Sequence, residues 1–328
     1  MSITNSTTIT NFILVGFRGL TNFRFLLFSA FLVIYMIILA GNVLTIVLVL
    51  VTPSLRSSMY FFLCNLSISD ILYCTGIVPN MLDVVLKDGG SITLTACLTQ
   101  FQIYGESMAV SAILLGMMSY DRYIAICKPL HYSLIMNKRL QYQLALFSWW
   151  SGFLITLNFA IRISQLAFCD SNVIDYYFCD FYPLLDLSCS EVLVLEIHSN
   201  IFSFVLVSVP FFFICVTYVC IILSILKISS VSGRQKAFYT CSSHLSIVCL
   251  FYGSLTVVYL SSAKNYSLNR NKALSLLNTM GMPLLNPIIY SLRNAEIQTA
   301  LRRLGLRCCQ ALRGLLATRN LKFKLKKL

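Results

Sequence analysis

Long apolar runs, separated by short polar segments, are the main pattern along this chain. Seven windows of mainly apolar residues occur, with approximate limits at 25–51, 59–85, 98–126, 140–163, 197–226, 237–261 and 273–292. Each is about 20 residues or longer, the length that an α-helix needs to cross the hydrocarbon core of a bilayer. The pattern predicts an all-α membrane protein: a bundle of seven membrane-spanning helices over residues 25–292, with an N-terminal segment, 1–24, and a C-terminal tail, 293–328.

The composition agrees with a membrane protein and excludes an ordinary soluble one. Hydrophobic residues make up 58% of the 328 residues and charged residues only 11%, whereas about 25% of the residues in soluble domains are charged. The net charge of +13 is concentrated in the tail, from Arg302 to Lys327. A basic, amphipathic segment after a membrane span typically contacts anionic lipid, so membrane lipid is an expected partner and nucleic acid is not.

The distribution of positive charge predicts the orientation. No cleavable signal peptide is visible, because residues 1–10 are polar and lack a basic start, so the first span should direct insertion. An extracellular N-terminus and a cytoplasmic C-terminus place 18 of the 25 Lys and Arg residues on the cytoplasmic side and 7 on the outer side, as the positive-inside rule favours. Asn5, in the motif Asn5-Ser6-Thr7, is then a candidate glycosylation site.

The thirteen cysteines divide by location. Four fall in the predicted outer segments, where oxidation is permitted: Cys97, Cys169, Cys179 and Cys189. Four cysteines allow three pairings. Most of the others should be reduced packing residues, and Cys308 and Cys309, beside the basic tail, are candidates for palmitoylation.

The most informative short segment is Met118–Tyr132, MSYDRYIAICKPLHY. Asp121 and Arg122 end a long apolar run where the third span would meet the cytoplasm, and Pro129 stops the helix soon afterwards. Charged residues at such a position are rare in membrane proteins unless they form an ion pair or have a function. The segment therefore indicates a switch at a membrane face.

This segment resembles the signature of the odorant receptors, a branch of the rhodopsin-like G-protein-coupled receptors. Other segments resemble further motifs of that family in the same order: LRSSMYFFLCNLSISDILY from Leu55, FCDSNVIDYYFCDFYPLLDLSCS from Phe168, KISSVSGRQKAFYTCSSHLS from Lys227 and PLLNPIIYSLRNAE from Pro283. The chain departs from the family at Ser58, where Pro is usual, at Tyr239, where Ser is usual, and at Ser111, where Glu is frequent.

The resemblance implies a function as well as a fold. An odorant receptor would bind a small odorant in its transmembrane bundle, activate a stimulatory olfactory G protein and raise cyclic AMP. It would be a multi-pass plasma-membrane protein of olfactory sensory transduction, and not an enzyme. Two rivals stay open: a chemosensory receptor of the same fold used outside smell, and a channel or transporter. The second is disfavoured because few ionisable residues lie within the spans and no internal repeat suggests a transporter of duplicated halves.

The resemblance also assigns roles to individual residues. It implies the disulfides Cys97–Cys179 and Cys169–Cys189. It places the G-protein switch at seven residues: Asp121, Arg122, Tyr123, Tyr218, Asn286, Pro287 and Tyr290. Arg122 would pair with Asp121 at rest and turn toward the G protein when the sixth span moves.

Asp70 lies in the middle of the second span, where an unpaired carboxylate costs several kcal/mol. The resemblance supplies Asn42, Ser111, Asn286 and Tyr290 as its polar neighbours. No cofactor is expected except a structural sodium ion at Asp70, Ser111 and Asn286. A hydrogen-bonded polar cluster without an ion is the alternative.

Three predicted spans present faces that would line a small-molecule site in the outer half of the bundle. The candidate ligand contacts are Tyr104, Met108 and Ala112 in the third span, Phe202, Ser203 and Leu206 in the fifth, and Tyr252, Leu255, Thr256 and Tyr259 in the sixth. Residues spaced i, i+3, i+4 and i+7 share one face of a helix. Because these side chains are mostly apolar and no charged residue is expected to face them, the predicted ligand is a small, neutral and largely hydrophobic odorant. Ordinary helix packing is the alternative.

A catalytic or zinc-dependent function is not indicated. His131, His198 and His244 are scattered over a loop and two spans, so they form neither a triad nor a set of metal ligands. Cys241 and His244 have a ligand-like spacing but supply only two ligands.

Overall fold

The computed structural model of the protein describes residues 10–17, 20–169, 171–261, 268–293 and 296–306; the side chains of residues 21, 236, 240, 258–261, 268–271 and 291–293 are not described. Most of the described residues are helical. The helices are α1 (Arg24–Val51), α2 (Ser58–Lys87), α3 (Leu94–Cys127), α4 (Tyr132–Ile135), α5 (Lys138–Ser164), α6 (Phe181–Leu185), α7 (Leu193–Leu226), α8 (Val231–Ser261), α9 (Leu268–Leu276) and α10 (Met282–Arg293).

Within the described ranges, six helices are long and apolar enough to cross a membrane: α1, α2, α3, α5, α7 and α8. They coincide with the first six predicted windows. The seventh window corresponds to α9, a π-helical segment (Leu277–Gly281) and α10, which follow one another directly. The apolar pattern did not predict this π-helical segment, because hydropathy reports length and polarity but not hydrogen-bond register.

The boundaries of α3 follow from the residues that flank it. Thr93 caps its N-terminus, where Thr93 Oγ1 accepts a hydrogen bond from the backbone N–H of Ala96 at 3.2 Å. The helix ends at Cys127, two residues before Pro129, because the residue before a proline is disfavoured in helical conformation. The predicted helix stop is confirmed. α3 packs against α2, α5 and α7 and so forms the centre of the bundle.

The outer faces of the long helices are apolar. On α7, the side chains of Phe204 and Phe212 are each 71% exposed and that of Val209 is 61% exposed. In water such an apolar surface would cause the protein to aggregate, whereas in a membrane it would contact lipid tails. The exposed faces therefore agree with the membrane location indicated by the composition.

A three-stranded sheet covers one end of the bundle. Its strands are β1 (Asn11–Leu14), β2 (Gly90–Thr93) and β3 (Val173–Ile174), and β1 lies in the middle. β1 pairs antiparallel with β2 and parallel with β3. Successive side chains of a strand point to opposite faces, and Phe12 and Leu14 are accordingly the two that are buried against the helices.

We call this sheet, together with residues 165–192 between α5 and α7, the lid. The end of the bundle under it is the lid end, and the opposite end, which carries Asp121 and Arg122, is the switch end. A partly buried ion pair fastens the lid to α9: Lys272 Nζ donates to Asp175 Oδ1 at 2.7 Å and to the carbonyl oxygen of Gly16 at 2.8 Å. The Lys272 side chain is only 2% exposed. The sequence analysis did not predict this ion pair.

Candidate functional site

A cavity lies at the lid end, between α3, α5, α7, α8 and the lid. Its volume is about 250 Å³, just below the roughly 300–1,000 Å³ of typical small-molecule sites, so it suits a small ligand. Aromatic rings form much of its wall. The ring of Tyr104 stands edge-on to those of Phe101 and Phe178, with centroid separations of 5.5 and 5.3 Å, an arrangement that aromatic pairs favour.

Seven of the ten candidate ligand contacts line this cavity: Tyr104, Met108, Ala112, Phe202, Ser203, Leu206 and Leu255. They come from α3, α7 and α8. The helical faces chosen from the sequence therefore converge on one space, and contact with a ligand stays a prediction.

The other three candidates are placed differently. Tyr252 is buried below the cavity, where its hydroxyl donates to the carbonyl oxygen of Ala112 at 3.2 Å. Thr256 lies on the exposed side of α8, because one residue beyond Leu255 turns the side chain by about 100° around the helix. The predictions that Tyr252 and Thr256 line the cavity are therefore wrong. The side chain of Tyr259 lies outside the described residues.

A charged residue also lines the cavity, which contradicts the expectation that none would face it. Asp180 belongs to the lid and caps the N-terminus of α6. Its Oδ1 accepts hydrogen bonds from the hydroxyl of Tyr104 and from the backbone N–H of Phe181, the latter at 2.8 Å. Burial raises the pKa of the Asp180 carboxyl above its usual value, and these two hydrogen bonds oppose that shift.

Both disulfides implied by the resemblance are formed. Cys97–Cys179 joins the start of α3 to the lid, and Cys169–Cys189 closes a loop within the lid, with Cα–Cα separations of 5.4 and 6.1 Å. Because Asp180 follows Cys179 directly, the first disulfide fixes the carboxyl beside α3. Within the described residues, Cys64, Cys74, Cys127, Cys215, Cys220, Cys241 and Cys249 are free thiols.

At the switch end, the carboxylate of Asp121 is fully buried and surrounded by donors. Arg122 donates to Asp121 Oδ2 through Nη2 at 2.6 Å and through Nε at 3.2 Å. Tyr132, in α4, donates to Asp121 Oδ1 at 3.0 Å, and the hydroxyl of Ser58 donates to the same oxygen. Ser58 is the residue that replaces the usual proline. The departure therefore adds a donor to the Asp121 carboxylate.

Tyr218 and Tyr290, two further switch residues, are placed differently from each other. The hydroxyl of Tyr218 lies 2.7 Å from Nδ1 of His244, and Nε2 of His244 lies 3.2 Å from the carbonyl oxygen of Leu115. The fully buried His244 of α8 is thereby joined to both α7 and α3. Among the described residues, the buried hydroxyl of Tyr290 has no hydrogen-bond partner.

Comparison with known proteins identifies this arrangement. A sequence model of the family described as "Olfactory receptor" matches residues 31–307, most of the chain. The chain belongs to the olfactory receptor family. It is 43% identical to human Olfactory receptor 10AG1 over 89% of this chain and 97% of that relative. It is also 42% identical to human Olfactory receptor 6B1, over 96% of this chain and 100% of the relative, and to mouse Olfactory receptor 5P55, over 92% and 98%.

This olfactory receptor is therefore a seven-helix G-protein-coupled receptor for odorants. Its spans make it a multi-pass membrane protein, and members of this family are not enzymes. The family membership confirms the function and fold class that the sequence motifs predicted, and removes the channel or transporter alternative.

Asp70 of the receptor borders a second, much smaller cavity near the middle of the bundle. Asn286 Nδ2 donates to Asp70 Oδ2 at 2.8 Å, and Ser111 lines the same cavity. Its volume of about 20 Å³ is enough for one water molecule or one small ion. The site offers one carboxylate and neutral oxygens, among them Asn286 Oδ1, which has no partner within the described residues. Oxygen ligands suit a hard cation such as sodium.

Two predicted neighbours of Asp70 make other contacts in the receptor. Asn42 Nδ2 donates to the carbonyl oxygens of Ile38 at 3.0 Å and Pro283 at 3.1 Å, so it joins α1 to α10. Ser111 Oγ lies 3.2 Å from Ser69 Oγ. Among the described residues, no group of three or more His, Cys, Asp or Glu side chains forms a candidate metal site.

Several residues of the receptor's sites are not recognisable from the sequence pattern. Asp180 was passed over because loop residues carry no periodicity, although its position after Cys179 was a usable signal. His244 belongs to the motif that begins at Lys227, but the sequence does not indicate its contacts with Tyr218 and Leu115. Asn5, Cys308 and Cys309 lie outside the described residues.

Proposed function

We propose that the receptor binds a small, mainly apolar odorant in the cavity beneath the lid, and that binding moves α8 and frees Arg122 for a G protein. The convergence of seven candidate contacts on one cavity is the main support. Burial of apolar carbon contributes roughly 0.8 kcal/mol per methylene, and association has a large entropic cost. An odorant with few carbons should therefore bind with micromolar affinity at best. The expectation of a neutral ligand was based on the absence of a facing charge, and Asp180 removes that basis.

α8 is the physical link between the cavity and the switch. Leu255 lines the cavity, and Tyr252, one turn away on the same helix, donates to the carbonyl oxygen of Ala112 on α3. Further along α8, His244 bonds to Leu115 of α3 and to Tyr218 of α7. A ligand that displaces Leu255 would strain these bonds together, because a helix moves as a rigid element.

The bonds around Arg122 describe a resting state. Its guanidinium is held by Asp121, whose carboxylate is held in turn by Ser58 and Tyr132. When α8 moves, Tyr218 loses His244, and its hydroxyl becomes available to Arg122. The hydroxyl of Tyr290, which has no partner among the described residues, becomes a second stabilising contact of the moved state.

The lid end is extracellular and the switch end is cytoplasmic, since this places 18 of the 25 Lys and Arg residues inside. Residues 1–24 then form an extracellular segment, 25–292 the receptor domain of the plasma membrane, and 293–328 a cytoplasmic basic tail against lipid. The G protein is of the stimulatory olfactory type, so an agonist raises cyclic AMP.

The small cavity beside Asp70 holds one sodium ion at rest, with Asp70, Ser111 and Asn286 supplying oxygens. Replacing sodium by N-methylglucamine should lower the EC50 of an agonist, and Asp70→Asn should remove the difference. If the EC50 of the unaltered receptor is the same in sodium and in N-methylglucamine, the polar cluster without an ion is favoured.

A cyclic-AMP reporter in cells that display the receptor at the surface tests the proposed function. A broad odorant panel should include agonists with micromolar EC50 values, and their response should require the stimulatory G protein. The proposal would be contradicted if no odorant of the panel raised cyclic AMP in cells with verified surface expression. A response that persists without that G protein would also contradict it.

A further inference from the structure

The polar side of the odorant cavity is built around one carboxyl group. Asp180 belongs to the lid, lines the cavity and is only partly buried. Its Oδ1 is occupied, because Tyr104 and the backbone N–H of Phe181 both donate to it. Within the described part of the chain, no hydrogen bond reaches Oδ2. One carboxyl oxygen is therefore left as an open acceptor in a largely apolar space.

No positive charge accompanies this acid. Among the residues that the structure describes, no Lys, Arg or His lines the cavity, and the nearby Lys272 is engaged by Asp175 and Gly16. A partly buried carboxylate oxygen that lacks a donor is costly, and a hydrogen bond to a charged group contributes more than one between neutral groups. A ligand that donates a hydrogen bond to Oδ2 would remove that cost, whereas a carboxylic acid would add a second negative charge.

The two donors already present fix the direction of the open oxygen. The Tyr104 hydroxyl and the Phe181 N–H both bind Oδ1, and Cys179, the preceding residue, is tied to Cys97 of α3 by a disulfide. The carboxyl group is thus held by its own helix cap, by a side chain of α3 and by a covalent link. Such a preorganised acceptor selects ligands without first having to be ordered.

We propose that Asp180 is the specificity-determining residue of the odorant cavity, and that it selects odorants carrying a hydroxyl or amino donor on an apolar body while rejecting carboxylic acids. This inference rests on the proposed function, because it assumes that odorants occupy this cavity. Methyl ketones and aldehydes, which only accept hydrogen bonds, would reach the same apolar walls but leave Oδ2 unpaired.

The test uses a panel in which each carbon skeleton occurs as the alcohol, the primary amine, the methyl ketone and the carboxylic acid. Skeletons of about six to ten carbons, linear and aromatic, suit a cavity of about 250 Å³. Cyclic AMP is measured at matched surface levels. The alcohol or amine should be more potent than the ketone of the same skeleton by about ten-fold or more, and the acid should be inactive.

Asp180→Asn sharpens the test, because it keeps an acceptor oxygen for Tyr104 and Phe181 but turns the open position into an N–H donor. This variant should raise the EC50 of the alcohol or amine by about ten- to a hundred-fold and lower that of the ketone. Asp186→Asn is the matched control, since Asp186 ends α6 in the same lid and does not line the cavity. It should leave the ranking unchanged.

The outcomes separate this inference from the proposed function. If no probe and no member of the broad panel acts on the surface-expressed receptor, the proposed function fails and this inference fails with it. If agonists exist but ketones or acids are the most potent, or if Asp180→Asn and Asp186→Asn behave alike, only the donor selection is overturned. Should Asp180→Asn not reach the surface, the ranking on the unaltered receptor decides.

Discussion

The ion pair between Lys272 and Asp175 should affect stability differently depending on which of its two residues is replaced. Lys272 is 2% exposed and Asp175 is 40% exposed. Removing Asp175 should therefore lower the free energy of unfolding by more than removing Lys272 does. Asp175→Asn leaves a buried ammonium group with the Gly16 carbonyl oxygen and an uncharged amide. Lys272→Met removes the charge, keeps an apolar side chain of similar length and leaves Asp175 in partial contact with solvent.

The magnitudes follow from these environments. Breaking a fully buried pair costs about 3–5 kcal/mol, but solvent access at Asp175 reduces this to about 1–2 kcal/mol for Asp175→Asn. Lys272→Met should cost less than about 1 kcal/mol, because replacing a buried charge by an apolar group is often neutral. The double variant should resemble Lys272→Met alone. At about 2 °C per kcal/mol for a large chain, Asp175→Asn should lower Tm by about 2–4 °C, and adding Lys272→Met should bring the loss below about 2 °C.

Thermal unfolding of the detergent-solubilised receptor, followed with a thiol-reactive dye, measures these shifts. Cys215 and Cys249 are exposed and give a constant background, whereas the buried thiols of Cys74 and Cys241 react only when helix packing is lost, so the rise in dye signal marks unfolding. Asp83→Asn is the control, because Asp83 pairs with Lys87 on the surface, where the side chains are 46% and 65% exposed, and should not change Tm. Additive losses in the double variant, or equal losses in the two single variants, would refute the reasoning.

Three further predictions concern signalling. Arg122→Ala should abolish agonist-evoked cyclic AMP at unchanged surface level, and surviving output would remove Arg122 from the switch. Ser58→Ala should raise ligand-independent cyclic AMP, because the carboxylate that holds Arg122 loses a donor; an unchanged basal level would make Ser58 a packing residue only. Leu206→Ala should raise the EC50 of an identified agonist by about five- to thirty-fold, from roughly 1–2 kcal/mol of lost apolar contact. Val205→Ala, on the exposed side of α7, should shift it far less, and equal shifts would contradict the assigned face.

The helices could be read from the sequence because their cause is local. A window of about twenty mainly apolar residues, followed by Pro129 in the case of α3, strongly favours a membrane-spanning helix. The ends were less accurate: α3 begins at Leu94 and α8 at Val231, several residues before the apolar windows, because polar residues continue a helix beyond the bilayer. The π-helical segment was not predicted, since nothing in hydropathy reports it.

The cavity residues that lie on helix faces were predicted from the sequence, whereas those contributed by the lid were not. Met108 and Leu206 follow from helical spacing, and both line the cavity. Thr256 fits the same spacing rule but does not line the cavity. The apolar face of a helix is about 100° wide, and Thr256 lies at its edge, where the side chain is exposed. Asp180 depends on a disulfide and on a helix cap, and Lys272 on partners 97 and 256 residues away in the sequence. Such contacts are set by tertiary structure and leave no periodic signal.

The lid also has a consequence for the order in which the receptor is made. β1 is synthesised first, but its partner β3 appears only at Val173, and the lysine that holds Gly16 follows 256 residues later. During translation the N-terminal strand therefore waits beside a bundle that cannot yet fasten it, while β2 alone is available. A chain cut short before α9 would leave the segment after β1 without the lysine that binds the carbonyl oxygen of Gly16. The N-terminal strand therefore reaches its final set of contacts only after synthesis has passed Lys272, so its attachment depends on residues from both ends of the bundle.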